Sequence, residues 1–120
     1  MSETGNPRSD TAVDALLRSL SRRATLETST HNVAEIQDYR RCIERGAEVF
    51  VAWVPGVPAQ HLISVSKILR QEGFVPVPHV VARRFVSDAQ ARNLFAALNA
   101  EADVDRVLLV GGDEAQSAGP

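Results

Sequence analysis

Four short strand-like stretches, the last three of them largely apolar, each separated from the next by one amphipathic segment, constrain this chain more than any other feature. They fall at residues 24–28, 48–53, 74–81 and 106–110. Near-continuous apolar runs need cover on both faces, and parallel strands obtain it by returning through a helix after each strand. The segments between the runs supply those helices. Thr11-x-x-Asp14 is a capping signal, and Val13, Leu16, Leu17 and Leu20 form one stripe of a helix expected to start near Ser9 or Thr11. A second helix from about Asn32 places Val33, Ile36, Tyr39 or Arg40, and Ile43 on one face, and it stops at Gly46. Pro55-Gly56 turns the chain, and Pro58 opens a third helix with Leu62, Val65, Ile68 and Leu69 as its stripe, ended by Gly73. Ser87-x-x-Gln90 is a capping box ahead of Ala91, Leu94, Phe95 and Leu98. Pro76 and Pro78 each lack an N–H and lie two residues apart, so they weaken pairing with one and the same neighbouring strand.

The class is therefore α/β with parallel (β/α) units. Two architectures fit it: the N-terminal half of a (β/α)8 barrel, or a small doubly wound sheet. The sequence stops just past its fourth strand, without a helix to cover that strand, which favours the half barrel. Residues 1–8 and 114–120 are polar and read as flexible ends around one domain at 9–113.

Composition narrows the function classes. Lys and Arg number 13 against 15 Asp and Glu, a net charge of −2, which offers no basic field for a nucleic acid. No apolar run approaches the ~20 residues that span a bilayer, and the N-terminus lacks a signal-peptide pattern, so a cytoplasmic location without membrane contact is expected. Cys42 is the one cysteine, and neither it nor His31 nor His61 has a partner at metal-ligand spacing, so no metal is implied.

Ligands of parallel α/β folds gather at the carboxyl ends of the strands. The candidates there are Glu27, Trp53, His79, Gly111, Gly112 and Asp113. Apolar neighbours around Glu27 would desolvate its carboxyl, the setting of a general acid, while a strand-end carboxylate also serves as a helix cap. His79 could donate to a ligand carbonyl or phosphate, or simply be a structural residue. Gly111-Gly112 would let the backbone approach a flat or phosphorylated ligand beside the Asp113 charge, or form a plain turn with Asp113 as an N-cap. Trp53 could floor a pocket or pack on a helix. Arg83 and Arg84 could meet an anionic group, although paired loop arginines are usually solvated or in surface ion pairs.

Taken in order, Leu26-Glu27-Thr28, Val51-Ala52-Trp53, Gly73-Phe-Val-Pro-Val-Pro-His79-Val and Arg106-Val-Leu-Leu-Val-Gly-Gly-Asp113 resemble the N-terminal half of the methylenetetrahydrofolate reductase family, flavin-dependent (β/α)8 barrels of one-carbon metabolism and methionine biosynthesis. The resemblance spans roughly residues 24–113. It implies an oxidoreductase that passes hydride from NAD(P)H through FAD to a folate-bound one-carbon unit, with Glu27 as general acid and Asp113 beside the flavin pyrimidine edge. His79 and Gly111-Gly112 would help hold the flavin, and Trp53 ends the matching second strand. The sequence departs from the family in having Gly111 for an arginine and Ala52 for a threonine. A half barrel leaves two sheet edges unpaired, so a homo-oligomer or a complementary half barrel is the expected partner. The alternative class is a non-enzymatic α/β binding or regulatory interaction domain.

Overall fold

The computed structural model describes residues 7–30 and 33–120. Among these, β1 (Leu26–Ser29), β2 (Glu48–Ala52), β3 (Val75–Val81) and β4 (Leu108–Val110) form one sheet in that spatial order, every pair parallel. Helices α1 (Pro7–Arg23), α2 (Ala59–Gln71) and α3 (Asp88–Ala102) join 3₁₀ segments at Val33–Arg41 and Ala82–Arg84. The fold is thus α/β with an all-parallel sheet. Each strand lies beside its sequence neighbour, and the order nowhere reverses.

The alternation of strand side chains gives the sheet two unlike faces. Register pairs Val49 with Pro76, Val51 with Pro78, and Val80 with Leu109 on the outer face. There Val49, Val51 and Val80 have no exposed surface, and Val49 and Val51 share one core cluster with Leu62, Val65 and Leu69 of α2. Helix α2 covers β2 and β3, and α3 packs on α2. Each of these fully buried leucines contributes about 1.5–3 kcal/mol of transfer free energy.

The two prolines act as their chemistry requires. Val75 donates its N–H to Ala47 O at 2.9 Å on the β2 side, so alternation turns the imide nitrogens of Pro76 and Pro78 toward β4. Pairing with β4 begins at His79↔Leu108, beyond both prolines. The weak flank expected from the sequence is this one.

The second amphipathic segment differs from the expected α-helix. Its described part, Val33–Arg41, is 3₁₀. With three residues per turn, Ile36 and Tyr39 align on one side, a spacing that suits this geometry better than 3.6. Ile36 is fully buried, and Tyr39 meets Phe74 edge-on with ring centroids 6.4 Å apart. His31 and Asn32, where this helix was expected to begin, lie outside the described residues.

Helix α1 begins at Pro7, earlier than the capping signal suggests, because proline's missing N–H costs nothing in a first turn. Its stripe is uncovered: Val13, Leu16, Leu17 and Leu20 are each 50–56% exposed. The molecule measures 66 × 32 × 23 Å with a radius of gyration of 18.8 Å, against about 14 Å for a compact chain of this length. No helix among the described residues is long and apolar enough to cross a membrane.

Candidate functional site

Two groups of chemistry-bearing residues meet the carboxyl half of the sheet, one on each face. The inner face, by strand register, carries Glu27 of β1, Phe50 and Ala52 of β2, and Val77, His79 and Val81 of β3; Val77 and Val81 are buried, and Val81 belongs to the core cluster. Glu27 pairs in register with Phe50, and Phe50 with Val77. The Phe50 ring lies 5.9 Å from the His79 imidazole, tilted by 58°. Glu27 and His79 therefore share a face, two strand spacings across and two residues along, roughly 12 Å apart, with Phe50 between them. Leu108 extends this surface beside His79 and is 42% exposed. Glu27 is itself exposed, so the apolar surroundings expected from its sequence neighbours are not formed around it here. Its neighbours Leu26 and Thr28 face the opposite side, as strand alternation demands.

Gly111, Gly112 and Asp113 follow β4 directly, at the same edge as the carboxyl end of β3. Arg83 N–H donates to Gly111 O at 3.1 Å, tying the exits of β3 and β4 together. A Cβ added at Gly111 would meet nothing within 4 Å, so its backbone is open to approach. Gly112 is different. At φ +100° it occupies a conformation that favours glycine, and a Cβ there would lie 2.7 Å from Val81 Cγ1. The turn alone requires that residue. Asp113 is exposed.

On the other side of the same edge stands a cluster that the sequence reading passed over. The Arg84 side chain is 16% exposed, and its Nε donates to Glu114 Oε1 at 2.6 Å. Its Nη1 donates to Trp53 O at 2.5 Å, and the guanidinium carbon sits 5.1 Å from the Trp53 ring centroid. One side chain thus joins the exits of β2 and β3 to the segment after β4. The Arg84 hydrogen bond holds the Glu114 carboxyl below the usual carboxylate range. That segment folds back further through Ala118 N–H, which donates to Arg83 O at 2.8 Å.

Trp53 belongs to this outer cluster and not to the inner face. It is 9% exposed, its indole N–H donates to Val57 O at 2.8 Å, and Phe85 meets it edge-on at 6.0 Å. With Phe85 it floors a groove of about 270 Å³ between the first turns of α2 and α3, edged by Gln60, Gln90 and Asn93. Cation and aromatic ring at the exits of adjacent strands were the available signal, since Trp53 ends one apolar run and Arg84 lies three residues past the end of the next. The capping box of α3 forms as expected: Ser87 Oγ accepts from Gln90 N–H at 3.2 Å, and Gln90 Oε1 accepts from Val86 N–H at 2.6 Å.

The opposite end of the molecule holds an open cavity of about 520 Å³ lined by Arg22, Arg40, Arg41 and Arg45 together with Glu44. Arg40 pairs with Glu72 at 2.9 Å, and Arg22 with Glu44 at 3.8 Å. Among the described residues no group of three His, Cys, Asp or Glu side chains could hold a metal ion. No family model matches the sequence.

Proposed function

We propose that the chain is the N-terminal portion of a flavin-dependent (β/α)8 oxidoreductase of the methylenetetrahydrofolate reductase type. The observation that carries this reading is the shared inner face of Glu27 and His79, bounded at the carboxyl edge by Gly111–Asp113. Sequential parallel strands without a reversal support the half barrel over a doubly wound sheet, whose ligand crevice depends on such a reversal.

The residues suit a flat, hydrogen-bonding cofactor in two respects: the Gly111 backbone is open, and His79 is half-buried on the inner face. His79, Gly111, Gly112 and Asp113 would hold FAD, with Trp53 buttressing the edge from behind. Bound FAD would supply the relay of hydride from NAD(P)H to a folate-bound one-carbon unit. The Glu27 carboxyl, with no hydrogen-bond or ion-pair partner among the described residues, would give a proton to a substrate ring nitrogen on that face. Asp113 would keep a fixed negative charge beside it. The exposed Leu108 and Leu109 of β4 leave room for a complementary half barrel or a second copy to complete the site.

A non-enzymatic binding or regulatory domain is the second reading. It draws on the groove of Trp53, Phe85 and their polar rim, which lies away from Glu27 and His79. Flavin titration of the purified chain separates the two. Saturable quenching weakened by Asp113→Asn and spared by Glu27→Gln supports the reductase reading, and a folded chain that binds no flavin supports the second.

A further inference from the structure

The open cavity at the end of the molecule away from Gly111–Asp113 gathers more positive charge than its surroundings match. It forms where the last turn of α1 meets the exit of the 3₁₀ segment Val33–Arg41. Arg22, Arg40, Arg41 and Arg45 line it, and Glu44 is the one acidic residue among its lining. Two of the four arginines are matched. Arg40 Nη2 lies 2.9 Å from Glu72 Oε2, with Arg40 Nε donating to Glu72 O at 3.2 Å, and Arg22 lies 3.8 Å from Glu44. Arg41 and Arg45 have no ion-pair or side-chain hydrogen-bond partner among the described residues. The helix dipole accounts for arginines in a last turn, which covers Arg22, Arg40 and Arg41. Arg45 lies past both helices, so that reason does not reach it. Its guanidinium rests on Gly73, where a Cβ would lie 2.8 Å from Arg45 Nε and 3.2 Å from Nη2. The bare glycine backbone leaves room for that group at the cavity wall.

We propose that this cavity binds a small soluble phosphate compound, inorganic or organic, independently of the site on the sheet. The chain as a whole carries a net charge of −2, so the positive excess is local. With Arg22 and Arg40 matched by Glu44 and Glu72, two charges are left over, on Arg41 and Arg45. The carbonyl ends of α1 and of the 3₁₀ segment offset about half a charge each, which reduces the excess without cancelling it. Like charges held around one recess repel, and an anion between them relieves the repulsion. Guanidinium suits phosphate in particular, because it is planar, permanently charged and offers paired N–H donors to two oxygens at once. Arg22 supplies a further contact. Its pair with Glu44 is too long for a hydrogen bond, and both side chains are more than 60% exposed, so an entering phosphate competes for it readily. The volume of about 520 Å³ falls in the range of small-molecule sites, and a recess favours a free ligand over a flat lipid surface.

Isothermal titration calorimetry of the full chain with inorganic pyrophosphate tests this, with inorganic phosphate and phosphatidylserine-containing vesicles as parallel arms. The expected result is one saturable pyrophosphate site with a Kd on the order of 100 μM at low salt, weaker binding of phosphate, and no binding to vesicles. Added salt should weaken the pyrophosphate site. Arg41→Gln and Arg45→Gln should each raise the Kd about fivefold to tenfold. Arg45→Lys keeps the charge but loses the paired donors, and should cause a smaller loss. Glu44→Gln frees Arg22 and removes a negative charge, so it should tighten binding. Arg92→Gln removes one positive charge from α3, outside the cavity, and should leave binding unchanged. All of these side chains are exposed, so circular dichroism should report the same fold in every variant. The proposal is overturned by a folded chain without saturable pyrophosphate binding, or by an Arg92→Gln loss as large as that of Arg41→Gln. Binding to vesicles in place of pyrophosphate would overturn it equally.

Discussion

The two faces of one sheet have opposite fates in this molecule. On the outer face, Val49 and Val51 are fully buried in one cluster with Leu62, Val65 and Leu69 of α2. On the inner face Val77 and Val81 are buried, but Glu27 and Leu108 are exposed, and Phe50 and His79 are half-buried against each other. Both faces arise from the same strands, whose residues alternate between them. The outer face, which receives α2, becomes core, while Glu27 and Leu108 on the inner face stay accessible to solvent.

Substitutions can break or sharpen that contrast. The largest effect should come from Phe74→Ala, which empties a fully buried site and should cost about 3–5 kcal/mol in urea denaturation. Phe50→Ala on the inner face should cost clearly less, ~1–2 kcal/mol, since its ring is partly exposed already. Equal losses would mean that the inner face is as much a core as the outer. Arg84→Met preserves bulk but leaves Trp53 O and the Glu114 carboxylate without their donor, for about 1–3 kcal/mol. Ser87→Ala should remove the α3 cap at about 1 kcal/mol. Least of all, Leu109→Ser should stay within about 0.5 kcal/mol, because that side chain is 64% exposed on an outer face that no helix covers at β4.

The Glu114 pairing adds a pH dependence with a definite sign. Its carboxyl titrates lower in the folded chain than in the unfolded one. Its contribution is therefore complete above the ordinary carboxylate range and disappears as pH falls through the depressed folded value. Emission from Trp53, the chain's one tryptophan, should follow that loss in the wild type and not in Arg84→Met.

Much of the fold is legible in the sequence because apolar runs and helical stripes report local geometry directly. The parallel strands, the α3 cap and the proline flank of β3 all follow from residue type and spacing. The 3₁₀ segment was legible only in part, since Val33, Ile36 and Tyr39 at intervals of three still read as an amphipathic helix. Helix α1 shows what a stripe leaves out: Leu16 and Leu17 read as a face to be covered, yet both are more than half exposed. Within the candidate site, Glu27 and His79 were identifiable from their place in apolar runs. Their shared face depended on register between strands, which spacing along one strand does not encode. Arg84 was hidden because its partners, Trp53 and Glu114, lie thirty residues away on either side of it, and a pair of loop arginines ordinarily remains in solvent.

The most direct test of the central claim, that the inner face is half of a flavin site, is the flavin titration followed by fluorescence quenching. The account expects saturable binding that weakens with Asp113→Asn and persists with Glu27→Gln. A folded chain of defined oligomeric state that leaves flavin fluorescence unchanged would contradict it.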